Sequence, residues 1–382
     1  MSRRSLASLA LCWMLFGTRA TAQQTEAPPF WDYTYTPYGY YSSIDGWWLA
    51  GFVRVYSPIG FRERPEPFRA AVTLTGGASS KGSYLIELDA QSLALWDGWR
   101  AGITLDALRS NRLGYFGIGN DTPFDLDSVT PANPFFYKVS RKSELARLQL
   151  QRRLVGPVRL LVGGSLEHTS FRVLPGDGLF VRDQGGGVAD STPFDDAAVR
   201  AGLVADTRDN ELDPHAGLLA EVLVSGARHY SRTTLGVQAY AHPFEKLVLA
   251  GRLLGERMSG APSVSVMQAI ESSGRPYIGV GGYRSLRGYY DSRFIGPDKL
   301  LGGIEVRYAL LYAPTLLEVK LVGFYDVGRV FPAGGLRLTT QGLHSSAGGE
   351  LMLRLGRNGV LVAGAGFGED GGQFLFGSTW SY

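Results

Sequence analysis

The sequence predicts an all-β fold: a sixteen-stranded antiparallel transmembrane β-barrel. Three observations predict it. The N-terminus reads as an export signal, turn-bounded segments of roughly ten residues alternate in polarity, and the number of these segments is even.

The export signal is residues 1–22. Arg3 and Arg4 form a basic start, Leu6 to Phe16 is a short apolar run, and Ala20-Thr21-Ala22 is a small-x-small cleavage site before Gln23. The apolar run is too short to span a bilayer as a helix. Cys12, the only cysteine, lies inside it, and the bulky Leu11 before it argues against a lipoprotein. A mature chain without cysteine has no disulfide framework. Beyond the signal no uninterrupted run of about 18 apolar residues occurs, so helical spans are excluded. A closed barrel remains open to an exported chain, because closure pairs every backbone donor and acceptor. The 51 glycines and the plentiful Tyr, Phe and Trp suit many tight turns and interfacial aromatic belts. A net charge of +3 over 382 residues, with no basic patch, excludes nucleic acid as a partner.

Residues 23–33 read as a short periplasmic lead, and 34–382 as the barrel. The expected strands are 34–43, 46–57, 66–77, 83–94, 98–108, 135–153, 157–171, 197–206, 217–229, 233–243, 246–257, 299–311, 317–330, 345–356, 358–367 and 373–382. In 299–311, Ile304, Val306, Tyr308 and Leu310 share one face, with Glu305, Arg307 and Ala309 on the other. In 317–330, Val319, Leu321, Tyr325 and Val327 oppose Lys320, Phe324, Asp326 and Gly328. In 345–356, Leu351, Leu353 and Leu355 oppose Glu350, Met352 and Arg354. In the last segment, Phe374, Phe376, Trp380 and Tyr382 oppose Gln373, Gly377, Thr379 and Ser381. Short connections such as Phe244-Glu245 alternate with long ones at 109–134, 172–196, 258–298 and 331–344, as short periplasmic turns and long outer loops do. Aromatics recur near segment ends: Trp47, Trp48, Tyr56, Trp96, Trp99, Tyr137, Tyr308, Tyr312 and Trp380. A soluble sandwich or lipocalin-like barrel has the same periodicity with its apolar face inward. The export signal, the segment number and the aromatics favour the membrane version.

Three blocks carry chemistry. Asp206-Thr207-Arg208-Asp209-Asn210, followed by Pro214 and Gly217, is turn chemistry opening a strand. Leu286-Arg287-Gly288-Tyr289 is a glycine-flanked loop tip, with Glu305-x-Arg307 in the next strand. Phe324-x-Asp326-x-Gly328 follows. By parity Glu305 and Asp326 point to the same side of adjacent strands, where an arginine would make charge-assisted, two-pronged bonds. Enzyme readings fare poorly, so no catalytic residue, cofactor or metal is expected. The histidines lack H-E-x-x-H spacing, and no G-x-S-x-G elbow occurs. His168 and Ser170 share a strand face without a placed acid. Gly364-Ala365-Gly366-Phe367-Gly368 precedes no helix and is not a dinucleotide loop.

In their order and spacing, with an aromatic last strand and the weaker block Tyr115-Phe116-Gly117-Ile118-Gly119-Asn120-Asp121, these blocks resemble the BamA/TamA superfamily of outer-membrane barrels, the bacterial surface antigens. The resemblance implies that the loop before the fifth-from-last strand folds into the lumen. Its arginine, here Arg287, then reaches the wall at Asp326 first and Glu305 second, with Gly288, Tyr289, Arg307 and Gly328 around this loop-to-wall lock. The turn motif is Asp206, Arg208, Asp209, Asn210 and Gly217, with Arg208 reaching lumen carboxylates. A barrel seam would carry Phe374, Phe376, Gly377, Trp380 and Tyr382, with Gly377 weakening the edge. The chain departs from relatives with periplasmic POTRA domains: about ten residues between cleavage site and first strand hold no such module, so it resembles a barrel-only branch. The expected role is to assist insertion or translocation of proteins or lipids at the outer membrane. Lipids and other outer-membrane proteins would be its partners, and the chain itself a monomer. The alternative is a passive channel or structural wall protein.

Overall fold

The computed structural model describes residues 31–42, 45–59, 65–187, 192–313, 317–355, 359–377 and 382. The expected signal at 1–22, most of the lead, and Trp380 lie outside the described residues. The strands are β1 (Asp32–Ser42), β2 (Gly46–Ser57), β3 (Ala70–Ser79), β4 (Tyr84–Trp96), β5 (Trp99–Gly114), β6 (Lys138–Val155), β7 (Val158–Arg172), β8 (Phe194–Asp206), β9 (Gly217–Gly226), β10 (Tyr230–Phe244), β11 (Leu247–Gly260), β12 (Ala269–Ile270), β13 (Tyr277–Ile278), β14 (Asp298–Ala313), β15 (Leu317–Phe331), β16 (His344–Leu355), β17 (Gly359–Gly368) and β18 (Gly371–Gly377). Two short helices, α1 (Leu179–Gly185) and α2 (Val264–Met267), lie in connections.

All but β12 and β13 form one antiparallel sheet of sixteen strands in chain order, with β14 next to β11. Each expected segment holds one of these strands. β3 starts four residues late, after Pro65 and Pro67, which cannot donate to a ladder. β5 runs on to Gly114 through a register shift near Ser110. No helix of the described residues is long and apolar enough to cross a membrane.

The faces decide between a soluble and a membrane barrel. Ile304, Val306, Leu310, Leu321 and Leu351 are exposed, while Glu305, Arg307, Lys320, Asp326 and Glu350 are buried inside. Leucine left facing water would cost about 1.5–3 kcal/mol each, so a belt repeated round the wall belongs in acyl chains. Trp47, Trp96, Trp99, Tyr308 and Tyr312 are exposed near strand ends, as interfacial residues should be. Tyr137, expected among them, is buried at the long-loop end, where its ring stacks on Phe116.

The core lies inside the barrel, made by the connection 261–297 between β11 and β14. Ile270, Tyr277, Val280, Leu286, Tyr289 and Phe294 from that loop pack against Tyr240, Leu254, Leu301 and Val330 of the wall. A second cluster near the long-loop end joins Tyr115, Phe171, Phe180, Met258, Val264 and Ile295.

Candidate functional site

Three adjacent strands supply three inward carboxylates: Glu305 on β14, Asp326 on β15 and Glu350 on β16. Antiparallel register sets Asp326 opposite Gly303 and Glu350 opposite Val322. Gly303 leaves room for the Asp326 carboxylate, since a Cβ there would lie 2.6 Å from its Oδ1.

The loop brings Arg287 into this group. Its Nε donates to Asp326 Oδ2 at 2.7 Å and its Nη2 to Asp326 Oδ1 at 2.9 Å, a two-pronged pair. Nη1 donates to Glu305 Oε1 at 2.6 Å and to Glu350 Oε2 at 3.3 Å. The guanidinium lies 3.7 Å from the centre of the Phe324 ring. Arg287, Glu305 and Asp326 side chains have no solvent exposure. Burial alone would lower the arginine's pKa. The carboxylates of Glu305 and Asp326, then Glu350, outweigh it and hold the pKa well above the ordinary value. Two more cations complete the balance. Arg307 donates to Glu305 Oε2 at 2.8 Å, and Arg252 lies 3.7 Å from Asp326 Oδ1 while donating to the loop carbonyls of Arg284 and Ser285, both at 2.6 Å.

The tip can reach the wall because glycine lines both surfaces. A Cβ on Gly288 would lie 2.5 Å from the Phe367 carbonyl carbon, and one on Gly366 would lie 2.6 Å from the Arg287 oxygen. Tyr289 is buried, its ring edge-on to Phe294, and its hydroxyl accepts from the Glu369 amide at 3.2 Å. Gly328 faces Val280 of the loop, whose Cγ1 a Cβ would approach to 2.9 Å.

The turn motif is self-contained. Arg208 grips Asp206 with two bonds of 2.9 and 2.8 Å, rather than reaching across the lumen. Asp209 accepts from the amides of His215 and Ala216, and Asn210 from those of Leu212 and Asp213. Gly217 has φ +106°, and a Cβ there would meet Thr207 O at 2.3 Å. The turn also sends Asp213 against Lys320, at 2.6 and 2.8 Å. Asp213, His215 and Glu318 could ligate a metal by spacing, but the Lys320 ammonium sits among them, 3.3 Å from His215 and 3.2 Å from Glu318.

The seam residues divide. Phe374 is exposed outward, and Phe376 meets the rings of Tyr38 and Tyr40 on β1 at 6.4 and 5.3 Å. Gly377 has a packing reason beyond edge weakness: a Cβ there would lie 2.3 Å from the Tyr283 ring of the loop. Tyr382 is a correction. Parity put it outside with Phe374, but it is buried, its ring 4.3 Å from the Arg252 guanidinium and its main-chain oxygen accepting from Arg307 at 3.0 Å. Residues 378–381, between β18 and Tyr382, lie outside the described residues. Among the described residues no ladder joins β1 to β18.

Sequence reasoning missed Glu350, Arg252 and the glycine bed. The signal for the bed was available: Gly364, Gly366 and Gly368 alternate on one face of a strand, which removes side chains along a line. His168, weighed for a dyad with Ser170, instead pairs with Asp195 at 2.7 Å on the exposed outer surface.

A model of the Omp85 superfamily domain matches residues 119–367. Among solved structures, the chain is similar to BamA from Haemophilus ducreyi lacking POTRA domains 1–3, at 14% identity and TM-score 0.56, covering 97% of this chain and 74% of that one. It is similar to CdiB from Escherichia coli at 12% identity and TM-score 0.56, and to CdiB from Acinetobacter baumannii at 14% and 0.51. These cover 97% and 96% of this chain, which spans 65%, just under two thirds, of each CdiB chain. No curated protein matches the chain in sequence.

Proposed function

The chain belongs to the Omp85 superfamily of bacterial outer-membrane barrels, and on that premise we propose that it assists insertion or translocation of proteins or lipids at the meeting of β1 and β18. The family supports the reading, and the first and last wall strands are neighbours in this chain: the Phe376 ring of β18 lies 6.4 and 5.3 Å from the rings of Tyr38 and Tyr40 of β1. A strand edge that can open is a template for another strand, and a weak edge beside lipid lowers the local cost of disturbing the bilayer. The locked loop fastens β14 to β17, the strands beside this edge, while the edge itself gives way. Residues 1–22 serve as the export signal in this reading, and lipids and other outer-membrane proteins are the partners.

The test is reconstitution. Liposomes carrying the purified barrel should fold a client barrel faster than liposomes carrying a porin of equal mass. Equal rates would overturn the reading. A second reading, a narrow channel, is favoured by the half-exposed Glu87, Asp89, Thr75 and Asp106 on the inner face of β3 to β5. Small, noisy steps in a planar bilayer, with no effect on client folding, would select it.

A further inference from the structure

The loop enters the wall at a second place, sixteen residues before Arg287 and with the charges exchanged. Glu271 follows the small strand β12 and is buried. Its Oε1 accepts from Arg200 of β8 at 2.8 Å and from Arg147 of β6 at 3.0 Å, and its Oε2 lies 3.8 Å from Arg232 of β10. The main chain is held as well. The Glu271 amide donates to Glu256 of β11 at 2.8 Å, the Ser273 amide to Glu221 of β9 at 3.0 Å, and Arg200 also donates to Ser272 O at 3.3 Å. Glu256 is itself charge-paired to Lys299 at 2.7 Å.

We infer that Glu271 is a second anchor of the infolded loop, a positioning residue whose charge holds the first half of the loop to β6, β8 and β10 as Arg287 holds the second half to β14, β15 and β16. Two facts require a charge here rather than a good fit. The wall presents three guanidiniums around this carboxylate, of which Arg232 also faces Glu256, its Nε 3.7 Å from Oε2, and the Nε atoms of Arg147 and Arg200 are buried with no hydrogen-bond acceptor among the described residues. An uncharged side chain would leave that surplus facing itself. Moreover, the turn just past this anchor is held less closely: Gly274 and Arg275 are exposed, and Arg275 touches the wall through Glu87 of β4 at 3.1 Å, before Tyr277 and Val280 return to the core. The exposed turn is therefore fixed from one side by Glu271 and from the other by Tyr277 and Val280, well before Arg287. This concerns the hold on the loop alone, so it survives a failed client-insertion assay.

A spin label tests it. Gly274 takes the label, because a Cβ there meets nothing within 4 Å, and Cys12 is the only cysteine in the sequence. In the refolded barrel the label at Gly274→Cys, with no neighbour to crowd it, should follow its backbone, and the slow component of its spectrum is the immobile signal that the Glu271 anchor sets. Glu271→Gln, nearly the same shape without the charge, should raise the ratio of mobile to immobile label on the order of tenfold. Glu271→Asp, shorter but charged, should recover much of the immobile signal. Arg147→Gln with Arg200→Gln should reproduce the Gln result from the wall side. Arg287→Ala should leave this label immobile while exposing the tip to protease. The inference is overturned if Glu271→Gln stays immobile, or if Glu271→Asp is as mobile as Glu271→Gln.

Discussion

The inner faces of β2 to β5 and of β14 to β17 obey the same alternation and end in different states. On β2 to β5 the inward Phe52, Arg54, Thr73, Thr75, Glu87, Asp89 and Asp106 are half-exposed. On β14 to β16 the inward Glu305, Arg307, Asp326 and Glu350 are at most 2% exposed. Strand chemistry does not separate them, since both faces carry carboxylates and arginine. The infolded loop does. Where it lies, charges are dry and depend on each other. Where it does not, each side chain answers to water. Position relative to the loop, not residue type, sets what an inward charge contributes.

Substitutions chosen in pairs can break that contrast. The largest effect is expected at Arg287. Arg287→Ala leaves Glu305, Asp326 and Glu350 crowded and undercompensated, and should lower unfolding stability by about 3–5 kcal/mol in denaturant titration followed by heat-modifiable mobility. Arg54→Ala on β2 loses one bond to Thr73, at 2.9 Å, and should cost about 1 kcal/mol or less. Equal losses at the two sites would end the comparison. Next comes the bed. Gly366→Val drives a side chain into the Arg287 carbonyl and should cost about 1–3 kcal/mol, with the tip cut faster by protease. Gly76→Val on β3, where an added Cβ meets nothing within 4 Å, should stay within about 0.5 kcal/mol. The smallest effect is expected at Asp106, which is half-exposed and makes no side-chain hydrogen bond or ion pair among the described residues: Asp106→Asn should change unfolding stability by less than about 0.5 kcal/mol. A large loss there would mean that the half-exposed wall is also load-coupled to the loop.

Much of this was legible in the residues, and the limits have a physical cause. All sixteen wall strands could be placed because each carries its own period-two signal, as Ile304-Glu305-Val306-Arg307 does. Arg287, Glu305 and Asp326 could be grouped because glycine marked the tip and parity fixed the faces. Glu350 sits one strand further on with the same parity, but nothing local sets how far a guanidinium reaches. Glu271, Arg147 and Arg200 were missed because their meeting depends on the path of the loop, and two-residue strands such as β12 have no periodicity to read. Tyr382 was misplaced because parity counts along one strand only, and a terminal residue is placed by what it packs on, here Arg252 and Arg307.

The glycine bed also imposes an order of events. Arg287 and Gly288 are made before Asp326, Ser346, Glu350 and Gly366, the residues they seat against, which follow by 39 to 79 positions. During synthesis and threading the tip therefore has nowhere to settle until the last quarter of the chain has taken its place. The buried guanidinium thus acts as a closing clasp, fastened only when the article it fastens is nearly whole.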